Sequence, residues 1–187
     1  MINKTYLEPK IQQQLQASLH TPGFPQVTLF DILQDYEKWQ KQIAALYFKE
    51  EKKRTSHSYG LAEIPTSLQK FLNSDDFKGF CSSLLSQPVH SINAKAYRFC
   101  WQDYTVLSDD LKQDEGIEFI MDFTEYWHER AGGAVTYKDV HGNFVRFPIR
   151  ANTLIIIKKG REVQRFVQYV NHLAEKKKRY LVMGKII

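Results

Sequence analysis

Cysteine is nearly missing from this chain: Cys81 and Cys100 are the only two in 187 residues. Two thiols exclude a disulfide scaffold and a thiolate metal cluster, and they suit a reducing, cytoplasmic setting. Long apolar runs are missing as well. Nothing approaches the roughly 20 residues of a membrane span, and the opening MINKTYLEPKIQQQLQ has no apolar block of the kind a secretory signal carries. No internal repeat and no low-complexity segment appears. Imidazoles are scattered: His20, His57, His90, His128, His141 and His172 share no ligand spacing, and each reads most simply as a surface histidine. The net charge of +5 is mild and concentrates around Lys49–Arg54 and Lys176–Arg179. Neither run is interleaved with aromatics, so no stacking platform for single strands is indicated. Nucleic acid or ribosome association stays a minor expectation beside two solvated basic patches.

What is present suits one soluble domain with a sizeable core: 43% hydrophobic, 25% charged and 13% aromatic residues. Residues 1–21 read as a polar, Gln-rich arm or short helix, and 22–187 as a single domain. Phe24 to Leu29 reads as a first strand. Asp31 is expected to cap a helix over 32–48, in which Ile32, Tyr36, Trp39, Ile43 and Leu46 form one apolar stripe. Residues 49–63 are polar enough to predict a loop that overhangs a site. Thr66 opens a short helix, and Ser74 or Asp75 caps another through Leu85, completing helical support over about 31–86. The β core follows over about 94–187, with strands predicted at 95–107, 117–124, 133–138, 144–149, 153–158, 162–170 and 179–185.

Around Asp103 to Tyr137 the pattern is most informative. Ile117, Phe119, Met121 and Phe123 alternate with Glu118, Asp122 and Thr124, which predicts a strand with one buried face. Gly132-Gly133 supplies the positive φ needed for a tight entry into the next strand. Helices followed by many short strands predict a mainly β fold with N-terminal helices, a double-stranded β-helix or jelly roll; an open α+β sheet is the alternative. In a jelly roll, alternation would turn Tyr104, Val106, Ser108 and Asp110 toward the cavity. Arg165 with Val167, and Arg179 with Leu181 and Met183, would face it from other strands. Buried charges of this kind need partners, and Asp110 with Arg165 is the expected pair.

The segment order resembles the prolyl-hydroxylase-like branch of the Fe(II)/2-oxoglutarate-dependent oxygenases over about residues 22–185. The residues that carry it are Phe24-Pro25, Gln102 to Asp110, Trp127 to Gly132-Gly133, Asn152-Thr153-Leu154, Gln164 to Val170 and Arg179 to Gly184. The resemblance implies an iron site of two His and one carboxylate. Asp110 stands at the carboxylate position, while Ser108 and Arg165 occupy the two positions expected to hold His. Neither replacement can fill that role: a hydroxyl is a poor ligand, and a guanidinium has no lone pair to offer. The resemblance further implies that Arg179, helped by Tyr104, binds the far carboxylate of 2-oxoglutarate, and that Leu181 narrows the pocket beside it. Two functions follow. One is an Fe(II)/2-oxoglutarate oxygenase of prolyl hydroxylase type, using both cofactors and acting on a protein substrate or a small acid. The other is a pseudoenzyme: a degenerate β-helix relative that binds a protein or small acid and holds no cofactor.

Overall fold

The computed structural model describes residues 1–106 and 115–187. Eleven strands among these residues build two antiparallel sheets, and four α-helices cover one of them. The strands are β1 (Gln26–Phe30), β2 (Lys49–Lys53), β3 (His57–Glu63), β4 (Ile92–Phe99), β5 (Tyr104–Thr105), β6 (Gly116–Asp122), β7 (Val135–Lys138), β8 (Phe144–Arg146), β9 (Thr153–Lys159), β10 (Gln164–Val167) and β11 (Arg179–Ile186). The helices are α1 (Pro9–Ser18), α2 (Tyr36–Ala44), α3 (Thr66–Leu72) and α4 (Asp75–Leu85). The larger sheet runs β1-β9-β6-β11-β4-β3-β2, with β5 on β3; the smaller runs β10-β7-β8. This is a jelly-roll sandwich. The helices lie outside the larger sheet, and the smaller sheet closes its other face.

Two apolar layers result. Leu29, Phe119, Met121, Leu154, Ile156 and Val182 pack against helix residues such as Leu68, Leu72 and Phe77. On the other side Phe99, Ile120, Ile155, Ile157, Leu181 and Met183 meet Val135, Tyr137, Phe147 and Val167 of the smaller sheet and its approaches. Each fully buried side chain of this size contributes about 1.5–3 kcal/mol. The helix signals act as expected on α4, where the Ser74 side chain accepts from the Phe77 amide at 3.3 Å and Phe77, Phe80, Cys81 and Leu84 turn inward. Burial pushes the Cys81 thiol up to about 12, so it is an inert packing group. The N-terminal arm is a helix docked on α4: Gln16 donates to the Ser83 carbonyl at 2.6 Å and Ser83 donates to Gln12 at 2.6 Å.

Three local expectations need correction. Asp31 caps no helix; it sits at φ 53° and pairs with Arg150 at 2.7 Å, and α2 begins only at Tyr36. Ile32 and Leu33 are instead held by Asn152, whose side chain accepts from the Leu33 amide at 2.8 Å and donates to its carbonyl at 2.9 Å. The Asn-x-Leu segment is thus a structural staple. The expected loop at 49–63 is the β2–β3 hairpin, because pairing with β4 secures β3 despite its polar sequence. The predicted strand 95–107 is broken after Phe99 by a turn with Gln102 at φ 73°. Asp103 fixes that turn by accepting from the Cys100 amide at 2.7 Å and from the Ser58 hydroxyl at 2.6 Å.

The Gly-Gly step behaves as its sequence predicts, at φ 79° and 77°. A Cβ on Gly132 would lie 2.1 Å from the Tyr169 carbonyl oxygen, and one on Gly133 would crowd Val170 and the Arg179 stem at 3.2 and 3.4 Å. Two positive-φ positions therefore make opposite predictions, readable as urea midpoints. Gly132→Ala should cost more than the roughly 1–3 kcal/mol of backbone strain, because its Cβ also meets immovable backbone. Gln102→Gly should gain about 0.5 kcal/mol, the relief of left-handed strain less the added chain entropy of glycine.

Candidate functional site

The interior of the sandwich, between the two sheets, is where charged residues gather. On β6 the residues Glu118, Ile120 and Asp122 face this interior, while Ile117, Phe119 and Met121 face the helices. Both faces are buried. The expectation of one buried face is therefore corrected: Glu118, Asp122 and Thr124 are 6%, 2% and 2% exposed. A signal for this was available in Ile120, which lies on the polar side and has no place on a solvated face. The apolar run Leu154–Ile157 on neighbouring β9 carries the same message.

Glu118 anchors the first buried cluster. Its Oε2 accepts from the Tyr137 hydroxyl at 2.7 Å and from Arg165 Nη1 at 2.9 Å, and its Oε1 accepts from Lys159 Nζ at 3.3 Å. Arg165 and Tyr137 are directly paired on β10 and β7, so this cluster ties the smaller sheet to the larger. Burial alone would push the Glu118 carboxyl up. Arg165, Lys159 and the Tyr137 hydroxyl outweigh it and hold the carboxyl below its usual range.

Asp122 anchors the second cluster, four residues and about 13 Å further along the strand. Arg179 Nη2 donates to Asp122 Oδ2 at 3.0 Å, and the Thr124 amide donates to Oδ1 at 2.9 Å. The other guanidinium arm, Nη1, donates to the Gly133 carbonyl. Asp122 and Arg179 are each only 2% exposed. Burial pushes the Asp122 carboxyl up and the Arg179 guanidinium down, and each partner's charge opposes the shift of the other. Trp127 completes the surround by donating from Nε1 to the Gly132 carbonyl at 2.9 Å. The Gly-Gly step thus has a clear purpose. Gly133 leaves room for the Arg179 stem, and its carbonyl receives the guanidinium.

Of the residues singled out from sequence, Arg179 and Arg165 both reach this interior, each in a different cluster. Leu181 and Met183 share the Arg179 face as expected. Tyr104 has other partners: its hydroxyl donates to the Arg54 carbonyl at 2.7 Å and its ring lies 6.3 Å from Tyr169. Val106, two residues on, is 41% exposed, so this end of the expected cavity face is open to water. Ser108 and Asp110 lie outside the described residues, and with them the expected Asp110–Arg165 contact; the carboxylate seen at Arg165 is Glu118. Sequence reasoning missed Glu118, Asp122, Lys159 and Tyr137.

Among the described residues the donor set does not fit an iron centre of two imidazoles and one carboxylate. Arg165, at a position expected to hold His, is a cation engaged with Glu118, and a guanidinium cannot coordinate. Among the described residues no three His, Cys, Asp or Glu side chains gather in a metal-holding group. His128 accepts from the Arg130 amide at 3.1 Å in the loop before Gly132, and His172 opens a short 3-10 turn beyond β10.

Because its neighbours hold Glu118 ionised, its contribution to stability is fully present above its unfolded value near 4.5 and is lost as pH falls through the lower folded value. Urea midpoints measured between about pH 6 and pH 3 should fall for the parent chain, and Glu118→Gln should show a shallower fall together with lower stability at neutral pH.

No protein-family model matches this sequence, and no curated protein matches it either; the likeness is to solved structures. A prolyl-4-hydroxylase from Pseudomonas putida superposes with TM-score 0.66 at 13% identity, covering 92% of this chain and 98% of that one. A 2OG-Fe(II) oxygenase family oxidoreductase from Burkholderia pseudomallei gives 0.72 at 11% identity, covering 94% and 90%. A prolyl hydroxylase from Trichoplax adhaerens, in complex with a hypoxia inducible factor peptide fragment, gives 0.69 at 12% identity, covering 95% and 89%. Over nearly its whole length, then, this chain has the jelly-roll fold of the prolyl-hydroxylase-like Fe(II)/2-oxoglutarate oxygenases.

Proposed function

We propose that this protein is a catalytically degenerate relative of those oxygenases, which keeps the sandwich and acts by binding a protein segment. The observation that carries this reading is Arg165, a cation locked to buried Glu118 at a position the resemblance reserves for an iron-binding His. A second cation, Arg179, is engaged by Asp122 where the resemblance expects it to meet 2-oxoglutarate. Iron chemistry has no adequate ligand set here, with Ser108 and Arg165 in the two His positions and Asp110 alone of the expected three.

An open groove of about 700 Å³ beside the interior supports a protein partner. Tyr104, Val106, Phe166 and Tyr169 line it, and aromatic walls of this kind accept extended peptide well. The Trichoplax relative is itself seen with a peptide fragment bound. A small acid is the weaker occupant, because the Arg179 guanidinium already holds a carboxylate. Association with nucleic acid or ribosomes has only the patch of Lys49, Lys52, Lys53 and Arg54 and the Lys176–Lys178 run behind it. The two unpaired thiols fit cytoplasmic residence.

The second reading, an active prolyl-hydroxylase-type oxygenase using Fe(II) and 2-oxoglutarate, is favoured by the near-complete coverage of oxygenase structures. Anaerobic titration with Fe(II) or Mn(II), with and without 2-oxoglutarate, separates the two when joined to a succinate-release assay. The expected result is no saturable binding at micromolar metal and no succinate. Micromolar binding with turnover would overturn the degenerate reading.

A further inference from the structure

The fold places one arginine, Arg179, at the start of the last strand with its guanidinium in the sealed interior. Its surroundings are those of a carboxylate receptor. Two of its three nitrogens are committed, Nη1 to the Gly133 carbonyl and Nη2 to Asp122 Oδ2 at 3.0 Å. The Asp122 carboxylate is held from its other side by the Thr124 amide at 2.9 Å. Both side chains are 2% exposed, so bulk water does not compete for either. A buried arginine facing a carboxylate through a short, dry contact is also what a bound acid would look like.

We infer that Asp122 is a built-in stand-in for an acid ligand: its side chain occupies the carboxylate subsite at Arg179, and thereby excludes 2-oxoglutarate and other free dicarboxylates from this chain. The inference deepens the degenerate reading above and rests on it for the correspondence of Arg179. The physical reason is competition at fixed geometry. Asp122 is tethered on the central strand β6, beside β11 and in register with Leu181, two residues beyond Arg179. A tethered carboxylate meets the guanidinium at an effective concentration no free acid reaches. An incoming dicarboxylate would have to displace it and leave Asp122 without its partner inside the sandwich, which is strongly unfavourable.

Removing the tethered carboxylate should therefore turn this position into a site for a small free one. Asp122→Ala should be destabilised, and sodium formate should raise its melting temperature relative to sodium chloride at equal ionic strength. The rise should be about 3–6 °C once formate exceeds its dissociation constant roughly tenfold. The parent chain should show no difference between the two salts. Asp122→Ala combined with Arg179→Leu should show none either, because the receptor is then gone. If Asp122→Ala is recovered only as unfolded chain, the same comparison is made on the yield of folded protein after dilution from urea into formate or chloride. A folded Asp122→Ala protein indifferent to formate, or equal refolding yields in the two salts, would overturn the inference. So would a melting-temperature rise of the parent chain with metal-free 2-oxoglutarate. Neither result bears on metal binding or succinate release, which test the degenerate reading separately.

Discussion

Charges sealed between two sheets must be matched inside the protein, since water cannot do it for them. Here two sealed cations, Lys159 and Arg179, and the half-buried Arg165, 27% exposed, meet two carboxylates, Glu118 and Asp122, among the described residues. Removing one partner from such a pair costs several kcal/mol, because the other is left charged in a medium of low polarity. The matching is geometric as well as electrostatic. Glu118 reaches from the larger sheet to Tyr137 and Arg165 on the smaller, and Arg179 reaches from the larger sheet to the Gly133 carbonyl that leads into β7. With apolar Ile120 between them on β6, the two polar clusters fix how the sheets sit on one another.

The interior between the sheets is therefore polar at two places along β6 and not a purely apolar core. In this chain the space is used by the protein's own side chains. Arg165 is met by a glutamate, and Arg179 is answered by an aspartate from the neighbouring strand. Each cation makes sense only with its partner. A lone Arg179, or a lone Glu118 without Arg165 and Lys159, would be a severe liability in this environment, so the pairs have to be considered as units. That interdependence commits the interior to structure, and the recognition proposed above falls to the aromatic groove at its edge.

Much of the architecture was legible in the sequence because local rules agreed with the fold. The strand signalled by Ile117, Phe119 and Met121, the Ser74 cap and the Gly132-Gly133 step each depend on contacts within a few residues, and each element appears as expected, though both faces of that strand are buried. The misses have one cause in common. Asp31 looks like a helix cap, but long-range contacts with Arg150 and Asn152 decide that connection. Residues 49–63 look like a loop, yet β4 offers β3 a ladder that its polar composition does not advertise. Tyr104 fits a cavity pattern, but the turn at Gln102 and the Arg54 carbonyl set where its ring goes.

By itself, the sequence determined the order of most strands and helices and the positive-φ glycines, since these follow from residue type and spacing. Only the tertiary structure decided which carboxylate meets which arginine. Glu118 stands 47 residues from Arg165, and Asp122 stands 57 from Arg179. Ile120 hints that this side of β6 is covered, but nothing local says which cation either acid will meet; the second sheet, closing over the polar face of β6, turns them into buried partners.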